Sequence, residues 1–190
     1  MTMPWVSADT EIWDYDASDA FIWYPDASTS LIWQLINDFD VCSPESGRIN
    51  SGGLELTYTQ DDKKFILNEM NNTPGMCYLF QHFSVPDDEG NYFLEFTGSY
   101  RGTHQVEFEA FDWDSSSYIA LLSTDTTGAF VLEPSLFTQT FYMTIPQGSQ
   151  YFSNVGIYSN VLQIRVIHDD PGNSGHLLRI NYWELHSGSV

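Results

Sequence analysis

The sequence predicts an all-β protein: an antiparallel two-sheet jelly-roll β-sandwich preceded by an extended N-terminal arm. Three observations carry that expectation. Apolar and polar residues alternate with period two, most clearly where Val106, Phe108 and Ala110 interleave with Glu107 and Glu109, and where Leu162, Ile164 and Val166 interleave with Gln163 and Arg165. Turn-forming clusters rich in Asp, Gly, Asn and Pro punctuate the chain at 86–91, 125–128, 146–148 and 169–173. Between these breaks no segment keeps a helical period, and about eight or nine such strands bury their apolar faces by packing two sheets together.

Residues 1–35 read as the arm. Ile12-Trp13, Ile22-Trp23 and Ile32-Trp33 recur every ten residues, and Asp16-Ala17-Ser18 is answered by Asp26-Ala27-Ser28. Pro25 and the aromatic and β-branched content disfavour helix. As one continuous strand, the even spacing sets Trp13, Trp23 and Trp33 on a single face, able to enter successive pockets on another chain. Folded back, the same residues make a three-stranded meander with turns at 16–20 and 25–30. A repeat this short cannot bury its own tryptophans, so it needs a partner surface, either its own body or another protein. The expected partner-binding set is Trp5, Ile12, Trp13, Ile22, Trp23, Ile32 and Trp33.

Residues 36–190 form the body. Strands are expected over Leu54–Tyr58, Tyr78–Val85, Tyr92–Tyr100, Gln105–Trp113, Tyr118–Leu122, Phe137–Ile145, Leu162–His168 and Leu177–Leu185. A chain of 190 residues supports one main domain with an appendage, and 13 Phe, 11 Tyr and 6 Trp supply a packed core. Acidic residues outnumber basic ones by 26 to 6, a net charge of -20 that repels a phosphate backbone, so nucleic-acid binding is not expected. No apolar run approaches the roughly 20 residues that cross a bilayer. Met1-Thr2-Met3-Pro4-Trp5 also lacks the features of a secretory signal, so no membrane insertion and assembly inside a cell are expected. Cys42 and Cys77 are too few and too separated for a disulfide framework or a four-ligand zinc site, and read as buried thiols, with a single disulfide between them as the alternative.

The chemistry-bearing residues point away from catalysis. No Gly-x-Ser-x-Gly elbow and no Gly-rich phosphate loop with Lys is present. Asp112-Trp113-Asp114 sets two carboxylates on one side of an extended segment, but a strand end entering the Ser115-Ser116-Ser117 turn explains them as well as a glycosidase pair does. The five histidines, His82, His104, His168, His176 and His186, show no zinc spacing. No metal site is expected from them, and His82 and His168 read as structural imidazoles. Sugar binding asks for aromatic faces backed by a few polar groups. Trp113, Tyr118, Tyr151, Phe152 and Tyr158 lie near loops and suit that role, with 147–160 as the rim.

The order of motifs over residues 36–186 resembles the galactose-binding-like β-sandwich of non-catalytic carbohydrate-binding modules. It opens with Asn37-Asp38-Phe39-Asp40 and continues with the strand from Cys77 to Pro86 and with Asn91-Tyr92-Phe93-Leu94-Glu95-Phe96. Phe137-Thr138-Gln139-Thr140-Phe141 follows, running on to Pro146, and Arg179-Ile180-Asn181-Tyr182-Trp183-Glu184-Leu185 closes the set. The resemblance implies a structural calcium between the opening acidic residue and a final-strand carboxylate. Asp40 matches the first position, while Asn181 or Tyr182 stands where the family usually places Asp; Asn181 and Glu184 are the remaining candidate ligands. No other cofactor is implied.

Modules resembling this one also occur on the surface of tailed-phage virions, as do short tryptophan-bearing repeats beside β-rich domains. The resulting expectation is a non-enzymatic bacteriophage virion structural protein, a capsid decoration or cement or another surface-displayed protein. It is held to other virion proteins by its arm, is displayed in multiple copies or as a homo-oligomer, and is assembled in the host cytoplasm for the virion surface. The alternative is a glycan-binding module for adhesion to a host cell surface, as on a tail fibre.

Overall fold

The computed structural model describes residues 12–15, 21–24, 34–58, 63–83, 85, 91–124, 128–155 and 157–187, with side chains from Phe39 onward. The first eight strands are β1 (Ile12–Tyr15), β2 (Phe21–Tyr24), β3 (Gln34–Asp38), β4 (Val41–Ser46), β5 (Arg48–Ser51), β6 (Phe65–Asn68), β7 (Met76–His82) and β8 (Tyr92–Arg101). They are followed by β9 (Val106–Asp112), β10 (Ser117–Ala120), β11 (Leu122–Ser123), β12 (Val131–Leu132), β13 (Gln139–Thr144), β14 (Phe152–Val155), β15 (Tyr158–His168) and β16 (Leu177–Ser187).

The body is a sandwich of two antiparallel sheets, as the alternation predicts. The front sheet runs β10-β9-β15-β7-β4, with β12 added to β9 and β14 to β15. The back sheet runs β11-β13-β8-β16-β6-β5, with β3 added to β16. Apolar residues at alternate positions turn inward from both sheets. Trp183 of β16 sits among them fully buried, stacked on Phe80 at 4.5 Å between ring centroids and meeting Phe39 and Phe96 edge-on at 5.1 and 5.5 Å.

Where the elements differ from expectation, local chemistry decides. Leu54–Thr57 is a 3-10 turn rather than a strand: Leu56 N–H donates to Gly53 O at 3.1 Å and Thr57 Oγ1 to Leu54 O at 2.8 Å. β4 and β5 escape sequence reading because one contains Pro44 and the other is exposed at every position, so neither shows an apolar alternation. Among the described residues of 147–160 lie a 3-10 turn, Ser149–Tyr151, then β14 and the start of β15, rather than an open loop.

At the N-terminus, β1 and β2 pair antiparallel with Trp13 opposite Trp23 and Asp14 opposite Ile22. The first two repeats therefore pair with each other rather than running as one continuous strand. Trp5, Ile32 and Trp33 lie outside the described residues. β3 begins at Gln34 and pairs with the C-terminal end of β16, Glu184 to Ser187, so the back sheet takes up the chain just before position 36.

Cys42 and Cys77 are both free. Burial pushes each thiol up to about 12; for Cys77 a hydrogen bond to Glu45 Oε2 at 3.2 Å adds to the effect. Neither presents a thiolate near neutral pH, as structural cysteines should not. Among the described residues no helix is long and apolar enough to cross a membrane.

Candidate functional site

The outward face of the front sheet carries an ordered set of aromatic and polar side chains. Met76, Tyr78 and Phe80 of β7, Phe108 and Ala110 of β9, and Ile164 and Val166 of β15 are fully buried inward, so their neighbours in each strand point out. Register then aligns those neighbours in rows. Val41, Gln81 and Gln163 lie opposite one another, and the Ile164–Ala110 pair sets Gln163 level with Phe111, which faces Tyr118. The next row reads Ser43, Leu79, Arg165, Glu109 and Ala120.

These rows are tied together. Gln81 Nε2 donates to Gln163 Oε1 at 2.8 Å, and Gln163 Nε2 donates to the Tyr118 hydroxyl at 2.7 Å. Arg165 donates to Glu109 Oε2 at 2.6 Å and lays its guanidinium 3.7 Å from the centroid of the Tyr118 ring. Burial raises the Tyr118 phenol, against the pull of Gln163 and Arg165, so it stays a neutral donor and acceptor. Phe111 meets Tyr118 and Trp113 edge-on, each at 4.9 Å. The result is a platform of fixed rings and fixed amide, guanidinium and carboxylate groups. It can stack on the apolar side of a sugar ring and read its hydroxyls.

Trp113 and Tyr118, on either side of the turn between β9 and β10, thus both pack on Phe111. Within that turn Asp112 Oδ1 accepts from the Asp114 and Ser115 N–H groups at 2.9 and 3.0 Å, and Ser116 takes a left-handed φ of 54°. The Ser115 N–H holds the Asp112 carboxyl below the usual range. Asp112 is a turn cap, which accounts for the Asp112/Asp114 pair without catalysis. Tyr158 lies farther along, 44% exposed and stacked on Phe83 at 4.0 Å. Tyr151 is a correction: at 5% exposure it belongs to the core and presents no face, because it closes the 3-10 turn over the sandwich. Phe152 packs against core Tyr92 at 5.0 Å.

The expected calcium ligands do not converge. Asp40 Oδ2 accepts from Phe83 N–H at 2.6 Å and lies 3.8 Å from His82, at the end of β7 in the front sheet. Glu184 projects from the opposite side of β16 to Trp183 and Leu185, meeting the Tyr182 hydroxyl and His186 on the outer side of the back sheet. Asn181, in the bulge of β16, keeps a buried Oδ1 without a partner among the described residues. Crossing between sheets at Phe39 separates Asp40 from the strand that carries the other two.

A second polar cluster, absent from the sequence reading, sits at one end of the sandwich. The β6–β7 and β15–β16 loops are laced together there: Gly75 N–H donates to Asp170 O and Gly172 N–H to Asn72 O, both at 2.9 Å. A Cβ on Gly75 would lie 2.3 Å from Gly172 Cα, and one on Gly172 2.1 Å from Met70 O, so only glycines permit this approach. Beneath it Glu69, buried, accepts from Asn173 N–H at 2.6 Å and from the Tyr100 hydroxyl. His176 Nδ1 lies 3.1 Å from Glu69 Oε2, and His168 Nε2 lies 3.0 Å from Oε1. Burial opposes the Glu69 charge, but Tyr100, Asn173 and the two histidines outweigh it and hold the carboxyl below its usual range. His104, on the β8–β9 loop, stacks on His168 at 4.8 Å and reaches Asp170 Oδ2 through Nδ1 at 3.2 Å. The one sequence signal for this gathering is that His168 and His176 bracket a Pro-Gly turn, which folds one back beside the other.

No family model matches the chain, and no curated protein is recognisably similar. Among solved structures it is similar to family 29 carbohydrate-binding modules. The complex of one with cellulohexaose is 13% identical, covers 82% of this chain and 90% of its own, and gives a TM-score of 0.46. The complex with mannohexaose gives 13% identity, coverage of 82% and 91%, and a TM-score of 0.45. The likeness is one of fold.

Proposed function

We propose that this protein is a non-enzymatic glycan-binding module whose site is the outward face of the front sheet. The observation that carries the reading is the tied row of Gln81, Gln163 and Tyr118 with Arg165 stacked on the Tyr118 ring, flanked by Phe111 and Trp113. Polar groups held in place before binding lose little entropy on contact with a sugar, and rings beside them supply the apolar platform. A net charge of -20 disfavours acidic polysaccharides, which makes a neutral glycan chain the ligand class. Multi-copy display on a virion, the role suggested by the ten-residue repeat together with the resemblance to modules on phage virions, suits weak single sites, because tethering raises effective concentration.

Calorimetric titration of the full chain with cellulohexaose and mannohexaose, together with pull-down on insoluble neutral polysaccharides, tests the proposal. Saturable binding is expected, weakened about tenfold or more, some 1.4 kcal/mol, in Tyr118→Ala and in Trp113→Ala. Near-ultraviolet circular dichroism confirms that each variant stays folded. Absence of binding to every neutral glycan, or binding indifferent to both substitutions, refutes the assignment.

A further inference from the structure

The histidine-bearing end has the makings of a metal site unrelated to the glycan face. One ligand atom each from Glu69, His104 and His176 lies within 4.8 Å of the other two. Bonds of about 2.0–2.1 Å in a tetrahedron set ligand atoms about 3.4 Å apart, so side-chain rotations alone would close this set on an ion. Outer groups are already aimed. Tyr100 and Asn173 hold the Glu69 carboxylate, and Asp170 holds His104 Nδ1, which leaves Nε2 as the free nitrogen of that ring. Metal-binding imidazoles and carboxylates are oriented by partners of this kind.

A second, independent observation points to a cation at this place. His168 is 2% exposed in its side chain, yet neither ring nitrogen makes a hydrogen bond, although Nε2 lies 3.0 Å from Glu69 Oε1. A buried imidazole that makes no aligned hydrogen bond at either nitrogen is costly. Nε2 faces the Glu69 carboxylate at ion-pair distance without the alignment of a hydrogen bond, so a cation on that carboxylate would meet its lone pair. Entry from solvent is open, since His176 also lines a cavity of about 310 Å³ with Tyr100, Arg101 and Leu136.

We propose that Glu69, His104 and His176 bind one divalent ion of the zinc class, with His168 within reach as a fourth ligand and Asp170 as a positioning residue. Imidazole nitrogens with a single carboxylate select zinc and its neighbours over calcium or magnesium, which demand oxygen shells. Because the three ligands come from the β6–β7, β8–β9 and β15–β16 connections, the ion would staple this end of the sandwich.

The test uses the full chain freed of metal by chelation. Titration with Zn2+ is expected to give one ion per chain and a raised Tm, and Co2+ to give the visible absorption of a four- or five-coordinate nitrogen and oxygen site. His104→Ala and His176→Ala should each weaken Zn2+ binding by at least about tenfold, and Asp170→Asn by about 10- to 100-fold without changing the cobalt spectrum. No stoichiometric Zn2+ binding by the wild-type chain overturns the proposal, whatever the variants do. So does binding that all three variants leave intact, which would place the ion among the many surface carboxylates.

Discussion

On the front sheet, Arg165 and Glu109 stand opposite each other in the strand register and stay partly open to water, 25% and 13% exposed in their side chains. At the β6–β7 end, Glu69 is closed off entirely and draws its partners from β8, the end of β15 and the β15–β16 connection. Both regions hold charge on a β-sandwich, yet only the first meets every need from neighbours one strand away. Regular pairing suffices where water shares the load; a buried carboxylate needs irregular backbone, because strands alone cannot aim enough donors at one point. The face is therefore suited to exchanging its solvent for a ligand, whereas the end is suited to holding something permanently.

The two regions share one core, and breaking it should abolish the contrast. Trp183 touches Phe39, Phe80, Phe96 and Phe108 across both sheets. Trp183→Ala is expected to cost about 3–5 kcal/mol, read as a fall in the urea midpoint. Probes placed on the face and at the end should lose structure in one transition; two separate transitions would show that the regions are supported independently.

Next in size is the closed-off carboxylate. Glu69→Gln keeps the volume and the Tyr100 contact but removes the charge that faces His168 and His176. In chelator at neutral pH it is expected to cost about 2–3 kcal/mol by urea denaturation. A cost below about 1 kcal/mol would make this end no more demanding than the open face.

The same contrast explains what the sequence reveals. The front sheet is legible because Val106 to Ala110 and Leu162 to Val166 alternate cleanly, and Tyr118 and Trp113 are found on the face because they flank a serine-rich turn. Tyr151 is misread because a 3-10 turn folds it inward, and a three-residue element leaves no periodic trace. Asp40, Asn181 and Glu184 look like one site only if the first and last strands meet with those side chains on one side; the crossing at Phe39 and the bulge between Ile180 and Tyr182 prevent it. The histidine end is illegible for a related reason: Glu69, His104, His168 and His176 are brought together by loop packing, centred on Gly75 and Gly172, that no local pattern records.

The smallest expected effect falls on Arg165. Arg165→Lys keeps a positive charge beside Glu109 but loses the planar group that lies over the Tyr118 ring and the fork that grips the carboxylate. If the face is a ligand platform resting on the sheet, stability should fall by less than about 1 kcal/mol, since a half-open ion pair contributes little net free energy. Neutral-glycan affinity should fall more than stability, because Tyr118 loses the support that fixes its ring and Gln163 the neighbour that fixes its amide. Urea denaturation and calorimetric titration of the one variant separate the two quantities. A stability loss above about 2 kcal/mol with glycan affinity unchanged would make Arg165 part of what holds the sheet together. The distinction between an open, exchangeable face and a closed, fixed end would then fail at its central residue.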